Sequence, residues 1–274
     1  MLRKQIDFKK ILRFQNTIWD FYKKNKRDLP WRKTRDPYKI VVSEIMLQQT
    51  QVSRVLQKYP LFIKTFPNFN SLVHAPLRDI LQVWQGMGYN RRALYLKKIS
   101  QLIVDKYSGL LPNNPKDLET FPGIGKATAG SIVVFVFNKP TVFIETNIRR
   151  VFIHFFFANK EKVDDKEIIK LVGETVDAKN PRDWYFALMD YGAMLGKTTD
   201  NPNKKSKYYS IQSKFNGSHR QIRGEILRQL LIKPLREKTL IKNLGKDKDI
   251  ITMLLGDLEK EGLIIQTNGK YFIS

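Results

Sequence analysis

Apolar residues recur at helical spacing along most of this chain. Over residues 6–24, Phe8, Ile11, Leu12, Ile18, Trp19 and Tyr22 alternate with basic positions, which predicts an amphipathic helix. Pro30 and Pro37 bracket a polar loop, and further helices are predicted from about 39 to 50 and on to about 65. Pro67 and Pro76 punctuate short segments, and Gly86-Met87-Gly88-Tyr89-Asn90 breaks the pattern before a basic helix at 91–107. Asn113-Asn114-Pro115 is a helix-start signal. It leads into two helices, over about 116–137, joined by the tight turn Phe121-Pro122-Gly123-Ile124-Gly125. Pro122 cannot continue a helix, and Gly123 and Gly125 are expected to supply the positive φ of the turn. Ala127 to Phe137 reads as a buried helix, and more helices are predicted at 147–157, 164–177 and 181–195. The fold class of this region is all-α.

Residues 197–217 change character. Lys197, Lys204, Lys205, Lys207 and Lys214 stand among Asn, Ser, Thr and Tyr, and the segment reads as a basic linker. Helical patterns return at about 218–232, 235–244 and 247–262. Leu263 to Ile273 forms two β-like runs joined by Asn268-Gly269, a strong hairpin signal. Three helices and a terminal hairpin predict a small winged-helix-like α+β module over 218–274, either a DNA reader or a protein-contact module.

Composition narrows the chemistry. The 274 residues suffice for one large domain or a medium one with an appendage, and 42% hydrophobic residues suit a folded protein. A net charge of +23 attracts polyanions and points to nucleic acid. A Lys-rich AT-biased genome would account for Lys over Arg, but not for so few acids. Cysteine is absent, which excludes disulfides, thiolate metal sites, iron–sulfur clusters and cysteine nucleophiles. The three histidines, His74, His154 and His219, lie too far apart in sequence to suggest a metal centre, so no metal is expected. Met1 to Asp7 reads as the opening of an amphipathic helix rather than a signal peptide, and no apolar run reaches membrane-spanning length. The expected location is the cytoplasm of a bacterium or archaeon, at the nucleoid, with no membrane partner.

Two carboxylates stand out. In Ser43-Glu44-Ile45-Met46-Leu47-Gln48-Gln49-Thr50-Gln51-Val52, an apolar stripe leaves Glu44 and Gln48 together at i, i+4. Glu44 is either a solvated surface acid or, wedged among apolar residues, a proton donor near neutral pH. Glu145 precedes the helix starting near Asn147, where it either complements the helix dipole or serves as a second, ionised acid. One acid that donates a proton and one that stays charged suit cleavage of a glycosidic bond through an oxocarbenium-like state. The turn's N–H groups at a helix start suit a phosphate.

Leu29-Pro30-Trp31-Arg32, the Ser43–Val52 block, Gly86-Met87-Gly88-Tyr89 and Phe121-Pro122-Gly123-Ile124-Gly125 closely resemble the MutY-type adenine DNA glycosylases of the helix–hairpin–helix superfamily, over roughly residues 8–196. The resemblance implies a glycosylase domain at 1–196 with two helical lobes and a cleft between them. It implies a monomer acting on duplex DNA with a mismatched or damaged base, flipped into a pocket. By resemblance, Glu44 is the general acid protonating adenine N7, Glu145 stands at the family's catalytic Asp, and Asn147 lies at the Asn beside it. Trp31, Arg32, Leu47, Val52, Ala127 and Phe186 would line the base pocket, and Gln49 and Tyr89 would enter the vacated stack. For Trp31 and Tyr89, core packing is the alternative. Pro122, Gly123, Ile124, Gly125 and Lys126 would hold a phosphate, often in this superfamily with a monovalent cation on carbonyl oxygens. Lys204 and Lys205 would add phosphate contacts.

The chain departs from that family at five places. Glu145 replaces Asp, moving the carboxylate by a bond length. Ala127 stands where lyase relatives carry a Schiff-base lysine, which implies a monofunctional enzyme. Gly196 stands where the first cluster cysteine would be. Phe186 replaces a polar residue that reaches the base. The C-terminal domain that reads 8-oxoguanine in the family is expected to be missing, with the winged-helix-like module in its place. Three functions follow: excision of adenine opposite guanine or 8-oxoguanine, excision of thymine or uracil opposite guanine, or DNA binding with little catalysis.

Overall fold

Fourteen α-helices and one β-hairpin account for most of the described residues, 8–274, of the computed structural model. The helices are α1 (Phe8–Asn25), α2 (Pro37–Leu47), α3 (Val52–Thr65), α4 (Phe69–His74), α5 (Leu77–Trp84), α6 (Arg91–Tyr107) and α7 (Pro115–Leu118). They continue as α8 (Lys126–Phe137), α9 (Thr146–Phe156), α10 (Asp165–Thr175), α11 (Pro181–Thr198), α12 (His219–Ile232), α13 (Glu237–Leu244) and α14 (Lys248–Lys260). Strands β1 (Ile264–Thr267) and β2 (Lys270–Ile273) close the chain. The start of the first predicted helix and the reading of Met1 to Asp7 lie outside the described residues. No helix among the described residues is long and apolar enough to cross a membrane.

Most predicted helices form within a few residues of the expected ends. The segments punctuated by Pro67 and Pro76 are themselves the short helices α4 and α5. Asn68 and Ser71 cap α4 reciprocally, and α5 buries Leu77, Ile80, Leu81 and Trp84 at i, i+3, i+4, i+7. Within the expected loop at 29–38, Pro30–Arg32 forms a 3-10 turn. At the hairpin, Gly123 has φ +77°, whereas Gly125 caps α8 with φ −96°. Only Gly123 therefore supplies the left-handed backbone expected of both. A side chain there would also strike the Tyr95 ring, 2.4 Å from the position of a Cβ.

The chain sorts into two units. The first comprises residues through Ile40, Asn113–Glu119 and Ile124–Ile211. Its core joins α1, α9 and α11 through Phe14, Phe152 and Trp184, with Phe14 edge-on to both other rings at 5.3 and 5.8 Å. Helix α8 is buried from Ala129 to Val136, as its mostly apolar sequence predicts. Residues 199–207, inside the segment read as a linker, are pinned to this unit. Val163 N–H donates to Lys205 O at 2.7 Å, and Asn203 Nδ2 donates to Thr146 O at 3.0 Å. Backbone and side-chain hydrogen bonds thus anchor a stretch that has few aliphatic residues to bury.

The second unit comprises Val41–Pro112, Thr120–Gly123 and Gln212–Ser274. Phe62 and Trp84 meet edge-on at 5.8 Å in its core. Helix α12 packs on α5, where Arg78 Nη2 donates to Leu231 O at 2.6 Å. The C-terminal module is three helices and an antiparallel hairpin with Thr267 opposite Lys270. Asn268 and Gly269 both take positive φ, the two-residue turn that Asn-Gly predicts.

Candidate active site

The first unit holds Glu145 in a dense network. Its Oε1 accepts from the backbone N–H of Asn147 and of Ile148, both at 2.8 Å, and so caps α9. Its Oε2 accepts from Asn147 Nδ2 at 3.1 Å. Arg150 Nη1, which can only donate, binds Asn147 Oδ1 at 3.0 Å and Gly192 O at 2.6 Å. That fixes which end of the Asn147 amide faces the carboxylate. A Cβ at Gly192 would lie 2.3 Å from Asn147 O, so only glycine lets α11 approach this close. Burial pushes the Glu145 carboxyl above its ordinary range. The two backbone N–H groups, the Asn147 amide and the Arg150 charge oppose that without cancelling it. Arg150 has no sequence pattern of its own beyond the basic start of α9.

The second unit holds Glu44, half-buried on α2 among the buried Val41, Val42, Ser43, Ile45 and Met46. The C-terminal end of α2 is gathered by Arg92. Its Nη1 donates to the carbonyls of Ile45, Met46 and Gln48 at 2.8, 2.9 and 2.5 Å. Its Nη2 donates to Thr50 Oγ1 at 2.9 Å and to Gly88 O at 3.2 Å. One guanidinium thereby satisfies orphan carbonyls of α2 and ties the Gln48–Gln51 turn to the Gly86–Asn90 turn. Burial lowers its pKa to about 10, which leaves it protonated at neutral pH. These two turns carry Gln49 and Tyr89, both in left-handed backbone at φ +51° and +46°, and both line one recess. Leu47 and Val52 flank the first turn, half-exposed.

Gln48 Nε2 donates to Gly123 O at 3.0 Å, so the Glu44 block braces the hairpin directly. Pro122 is half-exposed, Gly123, Gly125 and Lys126 are exposed, and Ile124 is buried. Lys126 and Ala127 line a shallow recess of the first unit with Thr141, Phe143 and Asp165. Lys204 and Lys205 sit on the 3-10 turn Pro202–Lys205. Lys204 Nζ pairs with Asp200 at 2.7 Å, and Lys205 Nζ donates to Ala158 O.

Trp31, Arg32 and Phe186 take packing positions. Trp31 and Phe186 are buried, and Phe186 stacks on Phe135 with ring centroids 4.5 Å apart. The Arg32 guanidinium lies 4.4 Å from the Phe186 ring centre and grips Asp190 with two bonds of 2.8 Å. The guanidinium expected at a flipped base is thus committed to a buried carboxylate, which sequence spacing alone did not reveal. An iron–sulfur cluster does not fit this chain. It has no cysteine, and a Cβ at Gly196 would come within 2.6 Å of Arg150 Nη1. Among the described residues, no group of three His, Asp or Glu side chains could hold a metal ion.

A mostly helical chain with a glycine hairpin before a buried helix and a carboxylate-capped helix after it defines a class, and comparison with known proteins identifies it. Residues 42–176 match the model of the HhH-GPD superfamily base excision DNA repair proteins. An adenine DNA glycosylase of Buchnera aphidicola subsp. Baizongia pistaciae is 36% identical over 223 residues, covering 75% of this chain and 63% of the relative. A thymine/uracil-DNA glycosylase of Methanothermobacter thermautotrophicus is 31% identical over 185 residues, covering 66% of this chain and 84% of the relative. The solved structure of a thermostable thymine-DNA glycosylase superposes with a TM-score of 0.63 at 28% identity, covering 72% of this chain and 92% of that one. The chain belongs to the HhH-GPD superfamily. It spans 63% and 60% of the lengths of the two Buchnera adenine glycosylases it matches first.

Proposed function

We propose that this protein is a monofunctional DNA glycosylase of base-excision repair. It hydrolyses the N-glycosidic bond of a mismatched base flipped from duplex DNA, with adenine opposite guanine or 8-oxoguanine as substrate. The observation that carries this reading is Glu44, a carboxylic acid half-buried on a helix whose neighbouring residues are mostly apolar. Glu44 protonates the departing base at a ring nitrogen, and the base leaves with the electron pair of the C1′–N bond. The ionised Glu145, held rigid by its cap bonds and Asn147, stabilises the positive charge that develops on the sugar. Water adds at C1′ and releases a proton. The N–H groups at the start of α8 and the +23 charge support a hold on DNA phosphates. The glycosylase domain is then 1–196, and the C-terminal module 218–274. The enzyme acts as a monomer at the nucleoid of a bacterial or archaeal cell, without a metal or iron–sulfur cofactor.

Excision of thymine or uracil opposite guanine is the second reading. It is favoured by the larger share of the thymine/uracil relative that this chain covers. Incubation with A·G, A·8-oxoguanine, T·G and U·G duplexes, followed by alkali, decides between them. The proposal expects cleavage of the adenine duplexes. Cleavage of T·G or U·G alone overturns the adenine assignment, and tight binding with no cleavage at all overturns the enzyme.

Ala127 offers no amine for a Schiff base, so strands should break only after alkali. A break without alkali, seen on a denaturing gel, contradicts the monofunctional assignment. Glu145 must be ionised to act, and its folded pKa lies above the ordinary 4.5. Single-turnover rates should therefore fall with acidification starting above the range of an exposed glutamate. Glu145→Gln should lower the rate on the order of a hundred-fold and remove that limb. An unchanged limb in the variant would assign it to another group.

A further inference from the structure

Helix α12 of the C-terminal module brings two arginines to the recess that carries Gln49 and Tyr89. The recess measures about 310 Å³, and Arg91, Arg92, Tyr95 and Glu261 line it beside Arg220 and Arg223. That volume is at the small end for ligand sites and suits one planar heterocycle. Arg220 is fixed in place. Its Nη1 donates to Tyr89 Oη at 2.9 Å, its Nη2 donates to Ser213 O at 2.6 Å, and its guanidinium lies 5.7 Å from the Tyr89 ring centre. Gln212 Nε2 also donates to Tyr89 Oη. Glu261 holds Arg223 at 2.5 Å and Arg91 at 3.5 Å, and Arg92 is committed to the carbonyls of the two turns. Four guanidiniums and one carboxylate leave the lining donor-rich and positive, with tyrosine rings beside it.

Guanidinium groups only donate, so the preferred occupant is a flat group with adjacent acceptors. Among the bases, guanine alone presents two neighbouring acceptors, O6 and N7. Adenine pairs an acceptor with a donor, thymine sets its single acceptor beside a methyl, and cytosine offers a donor. A phosphate would satisfy the arginines but makes no use of the rings, whereas a base stacks on them. We propose that this recess receives the guanine left opposite the excised base, and that Arg220 and Arg223 read its O6/N7 edge. The inference rests on the base-excision reading, and it holds whether the excised base is adenine, thymine or uracil.

The test uses the full chain with Glu44→Gln, so that binding is read without turnover. Affinities are measured for duplexes with a tetrahydrofuran abasic analogue opposite guanine, 7-deazaguanine, adenine or cytosine. Guanine should bind roughly ten-fold tighter than cytosine, and 7-deazaguanine should lose most of that advantage. Arg220→Ala and Arg223→Ala should each bring the guanine-to-cytosine ratio towards one, and Arg220→Lys, which keeps the charge but not the planar fork, should not restore it. Equal affinity for all four opposing bases, or a ratio unchanged in Arg220→Ala, overturns the proposal. So does a uniform loss of affinity in the variants, which would identify a phosphate clamp. A guanine preference in a chain that excises nothing would refute the catalytic reading and leave the recess assigned.

Discussion

Glu44→Gln should lower single-turnover base excision by roughly a hundred- to ten-thousand-fold, the range over which a positioned general acid acts. Glutamine keeps the size and hydrogen-bonding reach of the side chain but has no proton of suitable acidity to give. Helix α2 should keep its place, because Arg92 fastens its end through backbone carbonyls that the substitution leaves unchanged. Duplex affinity should therefore stay within a few-fold of the parent. Turnover close to that of the parent would remove Glu44 from the chemistry. A matching collapse of affinity would show that the residue holds DNA instead.

Asp190→Ala should destabilise the first unit by about 3–5 kcal/mol, the range seen when one partner of a buried ion pair is removed. The Asp190 side chain is 1% exposed and that of Arg32 8%, so the substitution strands a guanidinium out of water. The carboxylate also takes Arg27 Nε at 2.5 Å and the Arg27 backbone N–H at 3.0 Å, so the 26–32 segment loses its anchor too. Urea denaturation measures the loss, and a midpoint equal to that of the parent would contradict it. The pH dependence carries a definite sign. Burial alone raises the Asp190 pKa, but the hydrogen bonds and charges of Arg32 and Arg27 hold it below the ordinary 3.8. The ion pair's stabilisation is thus complete above that value and is lost as pH falls through the lower folded one. The variant should lack this acid-dependent component.

How far the sequence reveals the molecule depends on the range of the interaction. Local chemistry is legible: Asn268-Gly269 makes its turn, Asn114 caps α7, and Glu145 sits at a helix start where a carboxylate belongs. Helices α4 and α5 are harder to read, because six and eight residues make only about two turns on either side of Pro76. Gly125 shows a different limit. Two glycines in one turn invite the same backbone assignment, but only Gly123 needs the left-handed region.

Long-range polar commitments are the least visible part of the site. Arg92 reads as one more base on a basic helix, although its place in the series 92, 96, 99, 103 with Leu96, Ile99 and Ile103 marks it as inward-facing. Arg32 looks available for a base until Asp190, 158 residues away, is found to hold it. Nothing local connects Tyr89 to Arg220, 131 residues on. That contact ties the C-terminal module to the turn that carries Tyr89.

Direct detection of the released base tests the account most closely. A duplex with labelled adenine opposite guanine, incubated with excess protein, should yield free adenine approaching one equivalent per duplex. The DNA strand should remain intact until alkali is added. Absence of any free base from this duplex and from its T·G and U·G counterparts, under conditions of saturated binding, would contradict the assignment of this chain as a glycosylase.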